Sequence, residues 1–325
     1  MFARYISISF SVRANTVRTY ENIFSERLCI MSSLITRAIT SDGSARMIVA
    51  QTTEIVQKAA DIHKTSKTMT AALGRSLTAA SLMGSLLKDR DNSLTFQING
   101  GGPGGKIVCV SDYKGNVRGY CENPATELPA NQYGKLDVGG AVGTNGGLII
   151  IKDMGMGEPY VGTCPLVSGE IADDVTRYFA DSEQTPTVCA LGVRVDDNYK
   201  VLSAGGFLVQ LLPGAEESVI DVIEKNIAMI SSVSQMIASG MTAEEIVAAV
   251  LGGTEYEMFD EFDIDYVCNC SRERYLTAIA GLSANDVKDL CEKGEPIEAV
   301  CHFCNAAYSF EPEEIMAEYV KKIEK

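Results

Sequence analysis

The chain has 325 residues, 46% of them apolar and 22% charged, with a formal charge of −15 and a pI near 4.7. That length points to about two domains with core enough to fold without disulfides, and the composition excludes a disordered or collagen-like chain. The acidic balance argues against a generic grip on nucleic acid or anionic membrane, and no charge-free apolar run reaches the roughly 20 residues of a spanning helix.

Residues 1–31 stand apart. Met1–Ile30 carries Arg4, Arg13, Arg18 and Arg27, no lysine, and no acid before Glu21. It has no sustained period and reads as a disordered upstream extension from an early start codon, with an organelle-targeting leader as the other reading. A second methionine, Met31, precedes the first regular pattern.

Residues 32–213 read as one α+β domain. Ile35–Thr40 and Arg46–Gln51 flank the turn Ser41-Asp42-Gly43-Ser44, a hairpin signal. Thr53 caps a helix to about His63, and Met69–Leu87 predicts a second helix. Its many Ala, Ser and Gly residues and Arg75 suit burial between close neighbours, not a membrane. Strands are expected at Leu94–Ile98, Lys106–Ser111, Val117–Tyr120 and Leu148–Lys152. Ser168 is the expected cap of a helix with Ile171, Val175, Tyr178 and Phe179 on one face. Strands Val188–Val195, Val201–Ala204 and Gly206–Leu212 complete the unit.

Pro213-Gly214 marks a boundary. Residues 214–253 turn helical, with Val219, Ile220, Ile223 and Ile227 in one stretch and Ile246, Val247 and Val250 in another. Thr242 with Glu245 forms a capping box. This is a connector with modest apolar faces. Residues 254–325 form a third unit whose seventeen acids and seven bases supply −10 of the net charge. The run Glu255–Asp265 reads as a solvated acidic face with interleaved aromatics.

Chemistry concentrates in the cysteines. There are ten of them, against two histidines and no tryptophan, so a histidine-rich metal site or a Ser-His-Asp triad has little to be built from. In a thiol-reduced, cytoplasmic setting, close cysteine pairs suggest metal or redox chemistry. Cys268-Asn269-Cys270 is followed thirty residues later by Cys301-His302-Phe303-Cys304. Alternation from Phe262 to Cys270 puts both sulfurs of the first pair on one face of an extended segment. The second pair is a knuckle, and Asn305 after it suits a left-handed turn. Four thiolates from two separated pairs suit tetrahedral zinc. An inert zinc staple is the plainer reading of that spacing. Coordination keeps the sulfurs as thiolates, the species that oxidants attack, and each has a partner within reach. Oxidation to Cys268–Cys270 and Cys301–Cys304 would expel the metal and remove its folding energy.

At these residues the chain resembles the redox-regulated 33 kDa heat-shock chaperone family (the 33 kDa chaperonin), over about Leu34–Ile315. The resemblance rests also on Ala71-Ala72-Leu73-Gly74-Arg75-Ser76-Leu77-Thr78-Ala79-Ala80, Gly115-Asn116-Val117-Arg118-Gly119-Tyr120 and Lys135-Leu136-Asp137-Val138-Gly139-Gly140. Ser168-Gly169-Glu170-Ile171-Ala172, Ser182-Glu183-Gln184-Thr185-Pro186-Thr187 and Ala204-Gly205-Gly206-Phe207, continuing to Gln210-Leu211-Leu212-Pro213-Gly214-Ala215, extend it. It implies an α+β N-terminal domain, a metastable helical linker and a C-terminal zinc domain. It implies a non-enzymatic, ATP-independent holdase for unfolding proteins: inactive when reduced and zinc-bound, activated by oxidation with unfolding, and dimeric when active. Cys268, Cys270, Cys301 and Cys304 fall where that family carries its zinc-binding redox switch. Cys291 is an extra thiol.

Other signals are weaker. Gly100, Gly102 and Gly105 satisfy G-x-G-x-x-G, but a strand-like run follows where a dinucleotide site needs a helix, so a strand connector is expected. His302 is expected as an exposed spectator or local pKa modulator, and His63, at a helix end, as a solvated surface residue or a partner of the C-terminal helix dipole. Cys109, Cys121, Cys164 and Cys189 read as small core residues. The competing functions are a zinc-ribbon interaction module, whose acidity disfavours nucleic acid, and a thiol oxidoreductase, which usually sets C-x-x-C at a helix N-terminus.

Overall fold

The computed structural model describes residues 33–292 and 294–323; the expectation for residues 1–31 lies outside them. The organising element is a helix that two sheets enclose. Helix α1 (Thr53–His63) leads into α2 (Lys67–Gly84), and sixteen of the eighteen α2 residues are buried. Its Ala, Ser, Thr and Gly side chains let strands approach on both sides. The hydroxyls of Ser76 and Thr78 bond back to the carbonyls of Ala72 and Gly74, so their burial leaves no polar atom unpaired. Ser66 caps the helix by accepting the Met69 N–H at 3.1 Å.

On one side lies a five-stranded antiparallel sheet of β1 (Leu34–Thr40), β2 (Ala45–Gln51), β8 (Thr187–Val195), β9 (Val201–Leu211) and β10 (Tyr256–Asp263), in the order β10-β1-β2-β9-β8. On the other lies a sheet of β3 (Ser93–Asn99), β4 (Ile107–Asp112), β5 (Val117–Cys121), β6 (Gly147–Asp153) and β7 (Tyr160–Pro165), in the order β5-β4-β3-β6-β7. Helices α3 (Val138–Val142) and α4 (Ala172–Asp181) close this layered α+β core. Ile35, Ile48, Leu73, Leu77, Leu94, Phe96 and Leu208 share one continuous apolar cluster. Cys109, Cys121, Cys164 and Cys189 are buried within it.

The first sheet is apolar on its outer face as well. Ala38, Met47, Val49, Phe207 and Val209 point away from α2 and are covered by α5 (Glu217–Met229), α6 (Val233–Ala238) and α7 (Ala243–Leu251). These cover helices are short. Of the thirteen residues of α5 only Ile223 is buried, and Val219 and Ile227 are half-covered. The Thr242–Glu245 capping box starts α7 as its spacing predicts.

The chain then returns to the sheet. β10 pairs along β1 from Leu34↔Asp263 to Thr40↔Tyr256, with a bulge at Arg37/Ala38. The acidic run is thus a strand, with Glu257, Glu261 and Asp263 outward while Tyr256, Met258 and Phe262 turn inward. Beyond it come α8 (Arg272–Ile279), α9 (Ala284–Glu292), the hairpin β11 (Ile297–Val300) and β12 (Ala307–Phe310), and α10 (Pro312–Ile323). This terminal unit has a small core: among the described residues Val287, Phe310 and Ile315 are its buried apolar cluster.

Several local expectations are corrected. Ser168 does not cap α4; the buried Asp174 carboxylate instead accepts the N–H groups of Val167 (2.7 Å), Ser168 (3.2 Å) and Ile171 (3.0 Å). Val201–Leu211 is one strand, because Gly205 keeps its place in the ladder and leaves room for Ile237, whose Cδ1 would lie 2.4 Å from a Cβ there. Within the helical connector, Ile230-Ser231-Ser232 separates α5 from α6. Gly100–Gly105 is a strand connector, as expected. A Cβ at Gly100 would stand 2.0 Å from the Gly143 carbonyl, so close backbone approach explains the glycine there.

Candidate metal centre

Alternation carries the first cysteine pair to its place. The ladder of β10 ends at Asp263, yet the period of two continues: Ile264 and Tyr266 are buried, Cys268 and Cys270 are half-buried, and the residues between them are exposed. Backbone bonds from Ile264 N–H to Ser33 O (2.9 Å) and Val267 N–H to Val117 O (2.8 Å) keep the segment extended over the core. The second pair sits at the tip of the β11–β12 hairpin. Cys301 N–H donates to Ala306 O at 2.9 Å and Asn305 N–H to Cys301 O at 2.8 Å. Asn305 takes φ 57°, the left-handed turn expected of it.

The two arms meet. All four sulfurs lie within 4.8 Å of one another, with Cys268 Sγ 3.7 Å from Cys301 Sγ and Cys270 Sγ 3.3 Å from Cys304 Sγ. A tetrahedral ion with metal–sulfur bonds of about 2.3 Å needs sulfur–sulfur edges of about 3.8 Å, which matches this cluster. The donor set, four soft thiols with no carboxylate, fits a metal ion of the zinc class.

Hydrogen bonding distributes charge unevenly over the sulfurs. Burial opposes ionisation of Cys301, but bonds from the Tyr275 hydroxyl and from the Phe303 and Cys304 backbone outweigh it, bringing the thiol down to about 6. Burial pushes Cys268 and Cys304 up. Tyr308 hydrogen-bonds Cys270 at 3.2 Å and its own hydroxyl is pushed up to about 12 by that bond. Cys291 is not in the cluster. It packs with the small terminal core and its thiol faces Pro312 O at 3.5 Å.

The knuckle is docked on the core. The Tyr266 hydroxyl reaches the Gly119 carbonyl at 2.8 Å, the Phe303 carbonyl, and His63 Nε2 at 3.3 Å. Asn305 Nδ2 donates to Ile62 O at 2.8 Å. The Arg118 guanidinium lies 5.2 Å from the Phe303 ring centroid, and Tyr120 packs on the rings of His302 and Phe303. His302 is exposed, as expected. His63 does close the last turn of α1, but it is not a solvated surface residue: it is half-buried against Tyr266, and burial pushes its pKa down. Neither Tyr266 nor His63 was legible as part of the site. The one signal for Tyr266 is its apolar-face register with the cysteines.

A family model described as Hsp33 protein matches residues 33–311. The chain is 43% identical to the 33 kDa chaperonin of Alkaliphilus metalliredigens over 285 residues, covering 88% of this chain and 98% of that one. It is 44% identical to the 33 kDa chaperonin of a Geobacillus species, covering 88% and 96% of the two chains. The crystal structure of the Thermotoga maritima 33 kDa chaperonin superposes with a TM-score of 0.81 at 35% identity, over 90% of this chain and all of that one. Fold, cysteine cluster and relatives together define a molecular chaperone. The chain belongs to the Hsp33 family. No helix among the described residues is long and apolar enough to cross a membrane.

Proposed function

We propose that this chaperone is a redox-controlled, ATP-independent holdase, closed when its four thiols hold zinc and opened by their oxidation. The observation that carries the reading is the chain path. The helices that cover the apolar outer face of the first sheet are followed directly by β10, and β10 runs into Cys268. Loosening the cysteine unit therefore loosens the far end of the cover. We assign residues 32–213 to the core, 214–253 to the linker and 254–325 to the switch.

Bound zinc would supply folding free energy to a unit whose own core is small, and would hold Cys268, Cys270, Cys301 and Cys304 as thiolates. Attack of one thiolate on hydrogen peroxide gives a sulfenic acid and hydroxide. The neighbouring thiol then closes a disulfide and releases water. The closest sulfur approaches in the folded cluster run between the arms. Once the arms part, each sulfur's nearest partner is the one on its own arm, so Cys268–Cys270 and Cys301–Cys304 are the expected products.

Opening would bare Met47, Val49, Phe207 and Val209 together with the apolar faces of α5–α7, a surface suited to unfolding clients. The opened form is proposed to pair with a second copy, and the acidic charge to keep it soluble in the cytoplasm. The test compares suppression of client aggregation by the reduced, zinc-loaded form and the peroxide-treated form. Suppression confined to the oxidised form supports the reading; equal suppression by both would overturn the redox control.

A further inference from the structure

We propose that the pocket between β1, β2 and the end of α2 binds a small dianionic oxyanion of the phosphate class. The cavity measures about 300 Å³; Arg37, Arg46, Ile48, Ser85, Lys88 and Phe259 are among its walls. That volume is at the lower end for small-molecule sites.

The register builds the pocket. Ile48 faces α2, and its cross-strand partner is Arg37; Ile39 is the partner of Arg46. Cross-strand partners share a face, so both guanidiniums rise on the α2 side, where the helix stops at Gly84 and leaves room for them. Lys88 arrives from the segment just after the helix.

The charges do not balance. Three cations line the cavity, and among the described residues the one carboxylate in an ion pair with any of them is Asp260, 3.2 Å from Arg37. Arg37 also donates to the Ser85 carbonyl, while its Nε is buried with no partner. Arg46 uses only Nε, donating to Gln210 Oε1 at 2.9 Å, and among the described residues neither Arg46 nor Lys88 forms an ion pair. An excess of two positive charges therefore collects in one concavity of a chain whose net charge is −15. Half-burial, and after it the nearby Arg37 charge, push the Arg46 pKa down. A guanidinium fork matches the paired oxygens of a phosphate, and a dianion supplies the missing charge.

The proposal is independent of the metal and redox reading, and its test uses the intact chain. Inorganic phosphate at pH 7.5 and fixed ionic strength is titrated calorimetrically into the reduced protein. The expected result is saturable binding of one phosphate per chain. Arg46→Gln should weaken it by about tenfold or more, as loss of a charge-assisted hydrogen bond does. Lys88→Ala, at an exposed position that the fold tolerates, should weaken it severalfold, and it keeps the test decisive if the Arg46 variant misfolds. Acetate at the same ionic strength should bind at least tenfold more weakly. No saturable phosphate binding, binding unchanged in both variants, or acetate as tight as phosphate would each overturn the assignment.

Discussion

The Tyr266 hydroxyl and the Gly119 backbone face each other across the boundary between the core and the cysteine unit: the phenol reaches the Gly119 carbonyl at 2.8 Å, and the Gly119 N–H approaches the same oxygen at 3.3 Å. Tyr266 stands two residues before Cys268, and the Phe303 carbonyl that meets the same hydroxyl belongs to one of the two residues between Cys301 and Cys304. One side chain thus touches β5 and both arms of the cluster. A phenol has a single proton, so its two carbonyl neighbours share one donor.

Tyr266→Phe keeps the ring and removes that donor. It should leave the core folded but weaken docking of the terminal unit by about 1–3 kcal/mol, the cost of leaving a buried carbonyl without a donor. Hydrogen exchange at the Gly119 and Val267 amides should accelerate. Unchanged protection at both would show that the hydroxyl carries no docking energy.

Metal content should follow the four clustered thiols. Reduced protein is expected to hold one zinc per chain, lost in Cys268→Ser and in Cys304→Ser and kept in Cys291→Ser, whose sulfur lies in the small terminal core. Colorimetric zinc release with a thiol-reactive mercurial reads this directly. Full zinc in the Cys268→Ser, Cys304→Ser double variant would remove the site.

Peroxide at elevated temperature should free the cover before the sandwich. Amides of α5, α6 and α7 are expected to lose protection after oxidation, with α5 first because it buries only Ile223. Those of α2 should remain protected. Undiminished protection across residues 217–251 in protein that still suppresses aggregation would refute the uncovering step.

Gly84→Ala tests the packing of α2. A Cβ there would lie 2.1 Å from Ser111 Oγ and 2.8 Å from the Asp112 carbonyl, and the carbonyl belongs to strand backbone that cannot turn away. A loss of about 1–3 kcal/mol in urea-unfolding stability is expected, as for other overpacked sites. A neutral result would mean that β4 yields where the sandwich is described as closed.

What was legible in the sequence was local. The small residues of α2, the hairpin at Ser41–Ser44, the Thr242–Glu245 box and the left-handed Asn305 each follow from side-chain chemistry within a few positions. The cysteine spacing anticipated four sulfurs meeting, because two short-spaced pairs of soft ligands have few other uses. What stayed hidden was long-range. Nothing near Glu255–Asp265 says that it will pair with Leu34–Thr40, since an alternating acidic strand and a solvated loop read alike until a partner edge exists. β7 was missed because its buried positions are Gly162 and Cys164 while Tyr160 and Val161 are exposed, so its large apolar residues do not mark the buried face. His63 was misplaced because a helix end looks solvated until Tyr266 arrives from two hundred residues away.

The burial of Cys109, Cys121, Cys164 and Cys189 has a bearing on survival. Loss of solvent pushes Cys121 up to about 12 and Cys164 to about 11, and pushes Cys109 and Cys189 well above their ordinary range. Such thiols hold almost no thiolate at neutral pH, and peroxide reacts with thiolate. If zinc holds the four clustered sulfurs as thiolates, as proposed, peroxide would meet those and pass over the four buried thiols of the core. On the proposed redox reading, the zinc-held thiolates would be consumed first while the core stays chemically quiet, and a reductant arriving later would find an intact template on which to rebuild the rest.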